Sequence, residues 1–489
     1  MPRILFVDID TLRPDHMGCY GYGRNTTANI DRVAADSMVF DNYYCSDAPC
    51  LPSRASLIYG QPGILTGIVG HGGTAADRPL AGANRDFTDG TERENFHYLL
   101  RKAGLHTASI SSFPERHSAW WYNSGLNEIH NCGGQGMESG EAVVPLALDW
   151  LERNKGKDNW YLHLHLWDPH TPYRAPQSFG DPFKDVPMHN NWISEEVYNK
   201  QKKLPGPHRP MDLSGHGDWE NPKFPRALGS LKEYKDVKRM FDGYDTGIFY
   251  ADHLLGQVFD LLRNQGIYDD VAIIITSDHG ESMGELGLYG EHGLADNSTC
   301  RIPMIIKWPG AAKGRETGLR YSYDLLPTLA QLLNQPVAEN WSGQSYAGNI
   351  TGKSANPGRE SLVISQQTHV CQRSARFGDW LYIRTIRDGF QLFDDEMLFN
   401  IKDDPYEQHD VKAQHPDICA KGAKIILDWQ EENMKRSHTG VDPMWTVVNE
   451  GGPYHANIRD LPNYLKRLEN SGRADSAAEL RKRYGLKDE

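Results

Sequence analysis

The chain has 489 residues, of which 39% are hydrophobic and 10% aromatic, and this composition excludes global disorder because a core can be buried. Its length suits one large domain followed by a smaller one. The formal net charge of −13 excludes a chain-wide basic surface, so we expect no nucleic-acid partner. We also expect no membrane span, since no stretch reaches the roughly 20 apolar residues that cross a bilayer.

The first residues and the cysteines bear on the cellular compartment. The opening segment MPRILFVDID is typical of a buried strand rather than a signal peptide, which predicts a cytoplasmic protein or a chain whose leader has been removed. Seven cysteines are scattered along the chain without a CxxC pair. This pattern predicts neither a disulfide framework nor a zinc site.

Strand and helix patterns alternate through the first 370 residues. Apolar runs predict strands, and 3.6-residue periodicity predicts helices. The strands are expected over 3–7, 37–42, 160–167, 271–277 and 304–308, and the helices from 53 and over 142–153, 235–263 and 325–333. This alternation predicts an α/β fold with a mostly parallel central sheet sandwiched by helices. Residues 174–233 are rich in Pro, Gly, Lys, His and Asn, and we interpret them as an insertion or lid.

The composition changes towards the C-terminus. The strand-like segments WLYIRTI, FQLFD and MLFNI and a helical pattern over 419–434 follow residue 371. They predict a small α+β domain with an antiparallel sheet over 371–489, after a catalytic domain over 1–370. The tail from residue 446 could close over the site or pack on a second copy in a homo-oligomer, and the sequence leaves both open.

Three segments carry residues suited to chemistry: Asp10 after the first strand, CLPSR over residues 50–54, and Asp278-His279 after the VAIIIT strand. Ligands of open parallel sheets gather at the carboxyl ends of the strands. Two carboxylates and an imidazole suit Ca²⁺ or Mg²⁺, and the imidazole also allows Mn²⁺. Each feature alone is more typical of a cap, a loop residue or a buried apolar cysteine, so their joint occurrence carries the hypothesis.

The segment CLPSR resembles the C-x-P-S-R signature of the type I sulfatases, which belong to the alkaline phosphatase superfamily. The segments SDAPCLPSRASLIYG, TSDHGE, RIPMIIKWPG, YDLLPTLAQLL and FQLFDDEMLFNIKDDPYEQHDV follow one another in the order of that family. The resemblance covers residues 3–430 apart from the 174–233 insertion.

This resemblance implies a sulfuric ester hydrolase that releases sulfate from a sulfated carbohydrate or an aryl sulfate. Cys50 would be oxidised to formylglycine by a formylglycine-generating enzyme that reads Pro52, Ser53 and Arg54. One hydroxyl of the hydrated aldehyde would attack sulfur, and the second would then expel sulfate. The guanidinium of Arg54 would point at this group and offset negative charge.

The resemblance also implies one divalent metal ion, held by Asp10, the Cys50-derived group, Asp278 and His279. Many sulfatases have paired acids at the first turn and Asp-Asn at the later one, whereas this chain has Asp10-Thr11 and Asp278-His279. This set resembles the phosphonate monoester hydrolases and choline-sulfatase-like members. Ca²⁺ is the expected ion, with Mn²⁺ and Mg²⁺ as alternatives.

Four histidines are further candidates by resemblance, and Trp120 is a candidate because it belongs to an aromatic cluster directly after His117. His170 lies in WDPHTPY, which is similar to the HxPY segment of the family, and is expected to be the general acid for the leaving oxygen or a donor to a sulfate oxygen. His292 takes the place of a lysine that the family usually has before RIPMI. His117 is the candidate base where the G-K-x-H element is missing. His71 and Trp120 are candidates for substrate contact, although Trp residues are more often part of the core.

Two other functions stay open at this stage. The metal-ligand set allows a phosphonate monoester or phosphodiester hydrolase on the same scaffold. A non-catalytic binding protein could also retain the fold, but the intact Cys50, Arg54, Asp10 and Asp278 argue against it.

Overall fold

The computed structural model describes residues 2–79, 94–189, 192–206, 222–228 and 231–486. Its strands are β1 (Arg3–Ile9), β2 (Met38–Phe40), β3 (Tyr43–Tyr44), β4 (Asp47–Ala48), β5 (His106–Ile110), β6 (Glu128–His130), β7 (Trp160–Leu166), β8 (Val271–Thr276), β9 (Ser282–Met283), β10 (Tyr289–Glu291), β11 (Met304–Lys307), β12 (Gly314–Glu316), β13 (Arg320–Tyr321), β14 (Ser361–Gln366), β15 (Cys371–Phe377), β16 (Trp380–Arg387) and β17 (Glu396–Asn400).

Helices connect many of these strands and form most of the C-terminal tail. They are α1 (Ala28–Ala34), α2 (Cys50–Tyr59), α3 (Gly63–Thr66), α4 (Phe96–Lys102), α5 (Phe113–Arg116), α6 (Gly140–Asn154), α7 (Glu195–Gln201), α8 (Lys235–Asn264), α9 (Asn297–Cys300), α10 (Leu325–Leu332), α11 (Ala347–Thr351), α12 (Pro416–Arg436), α13 (Pro443–Asn449), α14 (Leu461–Asn470) and α15 (Ala474–Arg483).

An eight-stranded sheet with the order β12-β2-β11-β8-β1-β7-β5-β6 forms the centre of the described chain. The pairs from β8 through β1, β7 and β5 to β6 are parallel, and β11 runs antiparallel to both β8 and β2. The predicted mostly parallel sheet is therefore confirmed. Buried Val and Ile residues fill β8 because helices cover both faces of this strand.

The two faces of the sheet have separate cores, as the alternation of side chains along β1 illustrates. Phe6 packs with residues of α2, α4 and α10, while Leu5, Val7 and Ile9 pack with residues of α1, α6 and α8. Helices thus cover the sheet on both sides, as the sequence predicted. Asp8 and Asp10 share the parity of Phe6, which directs both carboxylates towards the α2 side.

A second sheet has the order β17-β16-β15-β14-β4, and its neighbours from β14 to β17 are antiparallel. The long helix α12 packs against β14, β15 and β16. The predicted small antiparallel sheet with a helix is confirmed. This sheet also includes β14 and the short parallel strand β4, which precede residue 371, and the division of the chain into two domains stays a prediction.

One predicted strand is wrong. The segment FQLFD over 390–394 forms a turn between β16 and β17. The carboxylate of Asp388 accepts hydrogen bonds from the backbone N–H groups of Phe390 and Leu392, and both of these residues have a positive φ. Phe390 is nevertheless buried, because it packs against the tail residues of α14 and α15.

The predicted insertion over 174–233 contains α7, and residues 190–191, 207–221 and 229–230 of it lie outside the described residues. Its segment around Pro205 contacts the tail, since Tyr464 Oη donates to the Pro205 carbonyl at 2.9 Å. Among the described residues, none of the helices is both long enough and apolar enough to cross a membrane.

A buried ion pair attaches the start of the tail to the second sheet. Arg373 of β15 donates two parallel hydrogen bonds of 2.7 Å to the carboxylate of Asp442, and both side chains are at most 5% exposed. The Asp442 carboxylate also accepts from the backbone N–H of Met444 at the start of α13. This pair fixes where the tail begins.

We expect the substitution Asp442→Ala to lower the free energy of unfolding by about 3–5 kcal/mol, because it leaves the Arg373 guanidinium buried without its partner. Urea unfolding followed by tryptophan fluorescence measures this loss. Glu396→Ala is the matched control: it removes a pair with Arg384 whose side chains are 43% and 40% exposed, so a loss below about 1 kcal/mol is expected. Equal losses in the two variants would contradict this account.

Candidate active site

The site forms where β1 and β8 end, at the start of helix α2. Because β1 and β8 are parallel neighbours, the carboxylates that follow them meet at one edge of the sheet. Asp8 and Asp10 come from β1, and Asp278 comes two residues after β8. Helix α2 begins at Cys50 and places Arg54 one turn further on the same face.

The guanidinium of Arg54 lies at the centre of these carboxylates. Its Nη2 donates to Asp8 Oδ2 at 2.9 Å and to Asp10 Oδ2 at 3.1 Å, and its Nη1 donates to Asp278. Arg54 is 2% exposed. Burial acts to raise the pKa of Asp8, but the charge of Arg54 together with the contributions of His165 and His163 outweighs it and holds this pKa at about 2. The carboxylate is therefore ionised.

Two histidines of β7 contact the side chains of Arg54 and Asp8. Arg54 Nη2 also donates to His165 Nε2 at 2.7 Å, so His165 carries its proton on Nδ1 and donates to Ser111 Oγ at 2.9 Å. His163 Nε2 lies 3.6 Å from Asp8 Oδ2. The two imidazoles therefore help to fix the positions of Arg54 and Asp8.

Four predicted metal ligands come together. Ligand atoms of Asp10, Cys50, Asp278 and His279 all lie within 4.8 Å of one another, and all four side chains are buried. Asp10 Oδ1 is buried without a hydrogen-bond partner among the described residues, which is the environment of an oxygen that a cation would bind. The donor set therefore fits a divalent ion.

Cys50 lies beside this group, with its Sγ 3.1 Å from His279 Nε2. Burial raises the pKa of the Cys50 thiol well above its usual value, and the negative charges of Asp10 and Asp278 raise it further. The unmodified side chain is consequently a neutral thiol at physiological pH, and a poor nucleophile.

His170 and His292 lie close to His279. The His292 ring is 4.5 Å from the His279 ring and 5.2 Å from the His170 ring, measured between centroids. His170 shares a hydrogen bond of 2.5 Å with the Thr171 carbonyl through Nδ1, which therefore carries a proton. Burial lowers the pKa of both histidines well below its usual value.

The structure brings two more of the predicted residues together and separates one. His71 and His117 have ring centroids 5.0 Å apart, and His117 also packs on Phe113, which lies under the Arg54 guanidinium. Trp120 is 43% exposed and donates its indole N–H to the carboxylate of Asp77. Its contact with substrate stays a prediction.

Sequence reasoning missed His369 and His455. Their rings stack at 4.6 Å, and they continue the contacts of His292 and His71, at 5.5 Å and 5.7 Å respectively. His369 lies between β14 and β15, and His455 lies in the tail, so no local pattern linked them to the site. His163 and His165 did leave a signal, because they alternate with leucines in a predicted strand.

A cavity of about 470 Å³ opens next to His455. Its wall combines glycines near His71 with polar and aromatic side chains of the tail, which include Tyr454, His455, Asn457, Arg459, Asn463 and Arg467. His455 thus connects the cavity with the residues around Cys50. The volume is that of a small-molecule site.

Comparison with known proteins decides the family. The protein-family model described as Sulfatase matches residues 2–335. The chain belongs to the sulfatase family. It is accordingly an enzyme of the sulfatase class of hydrolases.

Relatives of this sulfatase carry several specificities. It is 25% identical to the choline-sulfatase of Rhizobium meliloti, with 87% of this chain and 88% of the relative covered. It is 24% identical to the N-acetylglucosamine-6-O-sulfatase of Bacteroides thetaiotaomicron, with 92% of this chain and 89% of the relative covered.

Solved structures show the same fold. The phosphonate monoester hydrolase of Agrobacterium radiobacter has a TM-score of 0.67 at 18% identity, with 88% of this sulfatase and 96% of that chain covered. BT4656 in complex with D-glucosamine-2-N,6-O-disulfate has a TM-score of 0.68 at 19% identity, with 90% and 99% covered. Both structures have the alkaline phosphatase fold, and one of them is a phosphonate monoester hydrolase, a class that the metal-ligand set resembles.

We expect Cys50 to resist alkylation in the folded, unconverted sulfatase, because the thiol is 1% exposed and its pKa is raised. Protein made without a formylglycine-generating enzyme is treated with iodoacetamide at mildly alkaline pH, and peptide mass spectrometry locates the label. The same protein in guanidinium chloride is the control and should be labelled at Cys50. Labelling of the folded protein at the rate of the unfolded one would contradict the buried position.

Proposed function

We propose that this sulfatase hydrolyses the sulfate ester of a saccharide, with a formylglycine made from Cys50 and one divalent metal ion. The observation that carries the proposal is the convergence of Cys50, Arg54, Asp10, Asp278 and His279 in one buried cluster. As its hydrate, formylglycine would supply a hydroxyl nucleophile towards sulfur and a second hydroxyl that allows sulfate to leave.

Asp10, Asp278 and His279 would hold the metal ion together with the side chain at position 50. When bound, the ion would polarise a sulfate oxygen and favour the ionised nucleophile. We propose Ca²⁺ because two carboxylates offer oxygen ligands, and Mn²⁺ is the alternative because of the imidazole. Mg²⁺ suits the set less, since it usually keeps several water ligands.

Arg54 has a positioning role in this mechanism. It binds three carboxylates at once, so it fixes Asp10 and Asp278 relative to the helix that carries residue 50. A planar guanidinium can do this with several donors, whereas a lysine would present one point charge.

His170 is proposed as the general acid that protonates the leaving alcohol. In the free enzyme its buried ring is neutral, with the proton on Nδ1 and an acceptor at Nε2. An anionic sulfate ester beside the ring favours the imidazolium, and Nε2 then gains the proton that the leaving oxygen needs. We assign His292 to a sulfate oxygen and His117 to the proton removal that releases sulfate.

The cavity supports a saccharide as the alcohol. Its volume of about 470 Å³ accommodates a sugar ring, and the side chains of Asn463 and Arg459 offer hydrogen-bonding groups for hydroxyls. Tyr454 adds an aromatic face. Glycines at 70, 72 and 73 line the opposite wall next to His71, which keeps His71 as a candidate for substrate contact.

The second candidate function is phosphonate monoester or phosphodiester hydrolysis. Two observations favour it: His279 stands where many sulfatases have an amide, and a phosphonate monoester hydrolase shares the fold with a TM-score of 0.67. The chemistry is related, since both reactions place an anionic tetrahedral centre beside the metal.

A turnover panel separates the two functions. Enzyme co-produced with a formylglycine-generating enzyme receives sulfated sugars, an aryl sulfate, a phosphonate monoester and a phosphodiester, and released sulfate and phosphorus products are quantified. We expect sulfate release to dominate and Cys50→Ala to abolish it, because alanine cannot become formylglycine. Cys19→Ala, a cysteine outside the site, should retain activity. Dominant cleavage of the phosphorus esters would instead establish the second candidate.

The role of His170 predicts an effect that depends on the leaving group. We expect His170→Gln to lower kcat by about 10²–10⁴-fold for a sugar sulfate, but far less for an aryl sulfate whose phenolate leaves without protonation. With the wild type and the sugar sulfate, kcat should fall as pH rises through the pKa of His170 in the complex, because the acid loses its proton. An equal loss for both substrates would contradict the assignment.

A further inference from the structure

Arg116, the last residue of α5, is an exposed cation beside the site. Among the described residues, no carboxylate forms an ion pair with its guanidinium. Its Nη1 lies 3.4 Å from the Gln135 carbonyl oxygen and 4.0 Å from Met137 Sδ, and both distances are long for hydrogen bonds. Most of the hydrogen-bond donors of Arg116 are therefore available to a ligand.

Two acids of the surrounding turns are committed to other groups. The carboxylate of Glu115 accepts a hydrogen bond of 2.6 Å from the side-chain amide of Asn131. The carboxylate of Glu138 accepts one of 2.9 Å from the backbone N–H of Gly136. Each carboxylate is held by its own donor, so neither compensates the charge of Arg116.

The guanidinium of Arg116 lies against the ring of Trp167, next to the candidate general acid. Its Cζ is 5.2 Å from the Trp167 ring centroid, and this ring is 5.5 Å from the ring of His170. Gly136 permits this approach, since a Cβ there would lie 2.7 Å from Arg116 Cδ. Burial sets the direction of the pKa shifts of Cys50 and His170, and the charge of Arg116 acts to lower both pKa values. The charge of Arg116 therefore reaches the reacting end of the site.

Two other arginines at the site have their donors engaged. Arg54 binds three carboxylates. Arg174 is buried and donates to the carbonyl oxygens of Gly136 at 2.9 Å and of Trp167 at 3.0 Å. Burial and the neighbouring charge of Arg116 lower the pKa of Arg174 to about 10, so both guanidiniums are charged at neutral pH. Two adjacent positive charges create a potential that attracts an anion, and Arg116 has donors left to bind it.

We propose that Arg116 binds the anionic oxygens of the ester group that is hydrolysed. The inference rests on the proposed function for the identity of this group as a sulfate, although the donors suit any tetrahedral oxyanion. A planar guanidinium can donate two parallel hydrogen bonds to two such oxygens, and bonds between charged groups are the stronger kind. The bound ester would then lie between Arg116, His170 and residue 50.

Steady-state kinetics test this role with two substrates. One is the ester that the turnover panel identifies, and the other is an aryl ester of the same acid without a further charge. We expect Arg116→Gln to lower kcat/KM by about 10–100-fold for both, because one or two hydrogen bonds between charged groups are lost. Arg116→Lys keeps the charge and should recover part of this loss, since it presents a point charge without the planar donors.

The matched control is Arg153→Gln. Arg153 lies in α6, pairs with Asp149 and has a side chain that is 53% exposed, so kcat/KM should stay unchanged. No loss in Arg116→Gln, or a loss confined to a substrate that carries a second charged group, would overturn the proposal.

Chemical protection of the unsubstituted enzyme guards against a variant that does not fold. Phenylglyoxal modifies accessible arginines, and it is applied to the converted, Ca²⁺-loaded enzyme in sulfate, in methylphosphonate or in chloride at equal ionic strength. Peptide mass spectrometry gives the rate at each arginine. We expect one of the two oxyanions, at about twice its Kd, to slow the modification of Arg116 about threefold, because occupancy reduces the rate by 1 + [L]/Kd. The rate at Arg153 should not change, and equal rates at Arg116 in all three solutions would overturn the proposal.

These outcomes separate the role of Arg116 from the proposed function. Turnover of phosphorus esters that falls in Arg116→Gln would contradict sulfate hydrolysis and retain the role of Arg116. Sulfate release that is unchanged in Arg116→Gln would do the reverse.

Discussion

The buried guanidinium of Arg54 is the interaction on which the rest of the site depends. It compensates carboxylates of β1 and of the turn after β8, which would otherwise repel one another in a region with little solvent. Because Arg54 stands one helical turn after Cys50, the same contacts fix the start of α2 relative to the sheet. The contacts of Arg54 therefore both balance the buried negative charge and fix the position of residue 50.

The second sheet also helps to fix the position of residue 50. Its strand β4 ends at Ala48, immediately before Pro49 and Cys50, so helix α2 begins where the two sheets approach each other. The loop after β14 contributes His369, and the tail contributes His455. The small sheet thus shapes the environment of the candidate nucleophile as well as the outer wall of the cavity.

A row of imidazoles runs from the cavity to Cys50 through His455, His369, His292 and His279, with ring centroids 4.5 to 5.5 Å apart along it. Burial lowers the pKa of His292, and the neighbouring histidines lower it further because each would repel the charge of the next. The His292 ring is therefore neutral in the free enzyme, and an anion bound beside it would favour its protonated form.

The sequence by itself determined the alternation of strands and helices, the mostly parallel sheet, and the group formed by Asp10, Cys50, Arg54, Asp278 and His279. These features are local: apolar runs, a short signature, and acids directly after strands whose ends meet at one edge. The turn at FQLFD was mispredicted because hydrogen bonds donated by the backbone N–H groups of Phe390 and Leu392 to the Asp388 carboxylate outweigh the strand-like pattern.

Only the tertiary structure decided which distant residues join this group. His369 and His455 lie more than 300 residues after Cys50, and their approach depends on how the second sheet and the tail pack on the first. Glu281 follows His279 closely, yet its burial beside His292 depends on the β9–β10 hairpin. Contacts of this kind arise from packing between elements, which periodicity and short motifs do not encode.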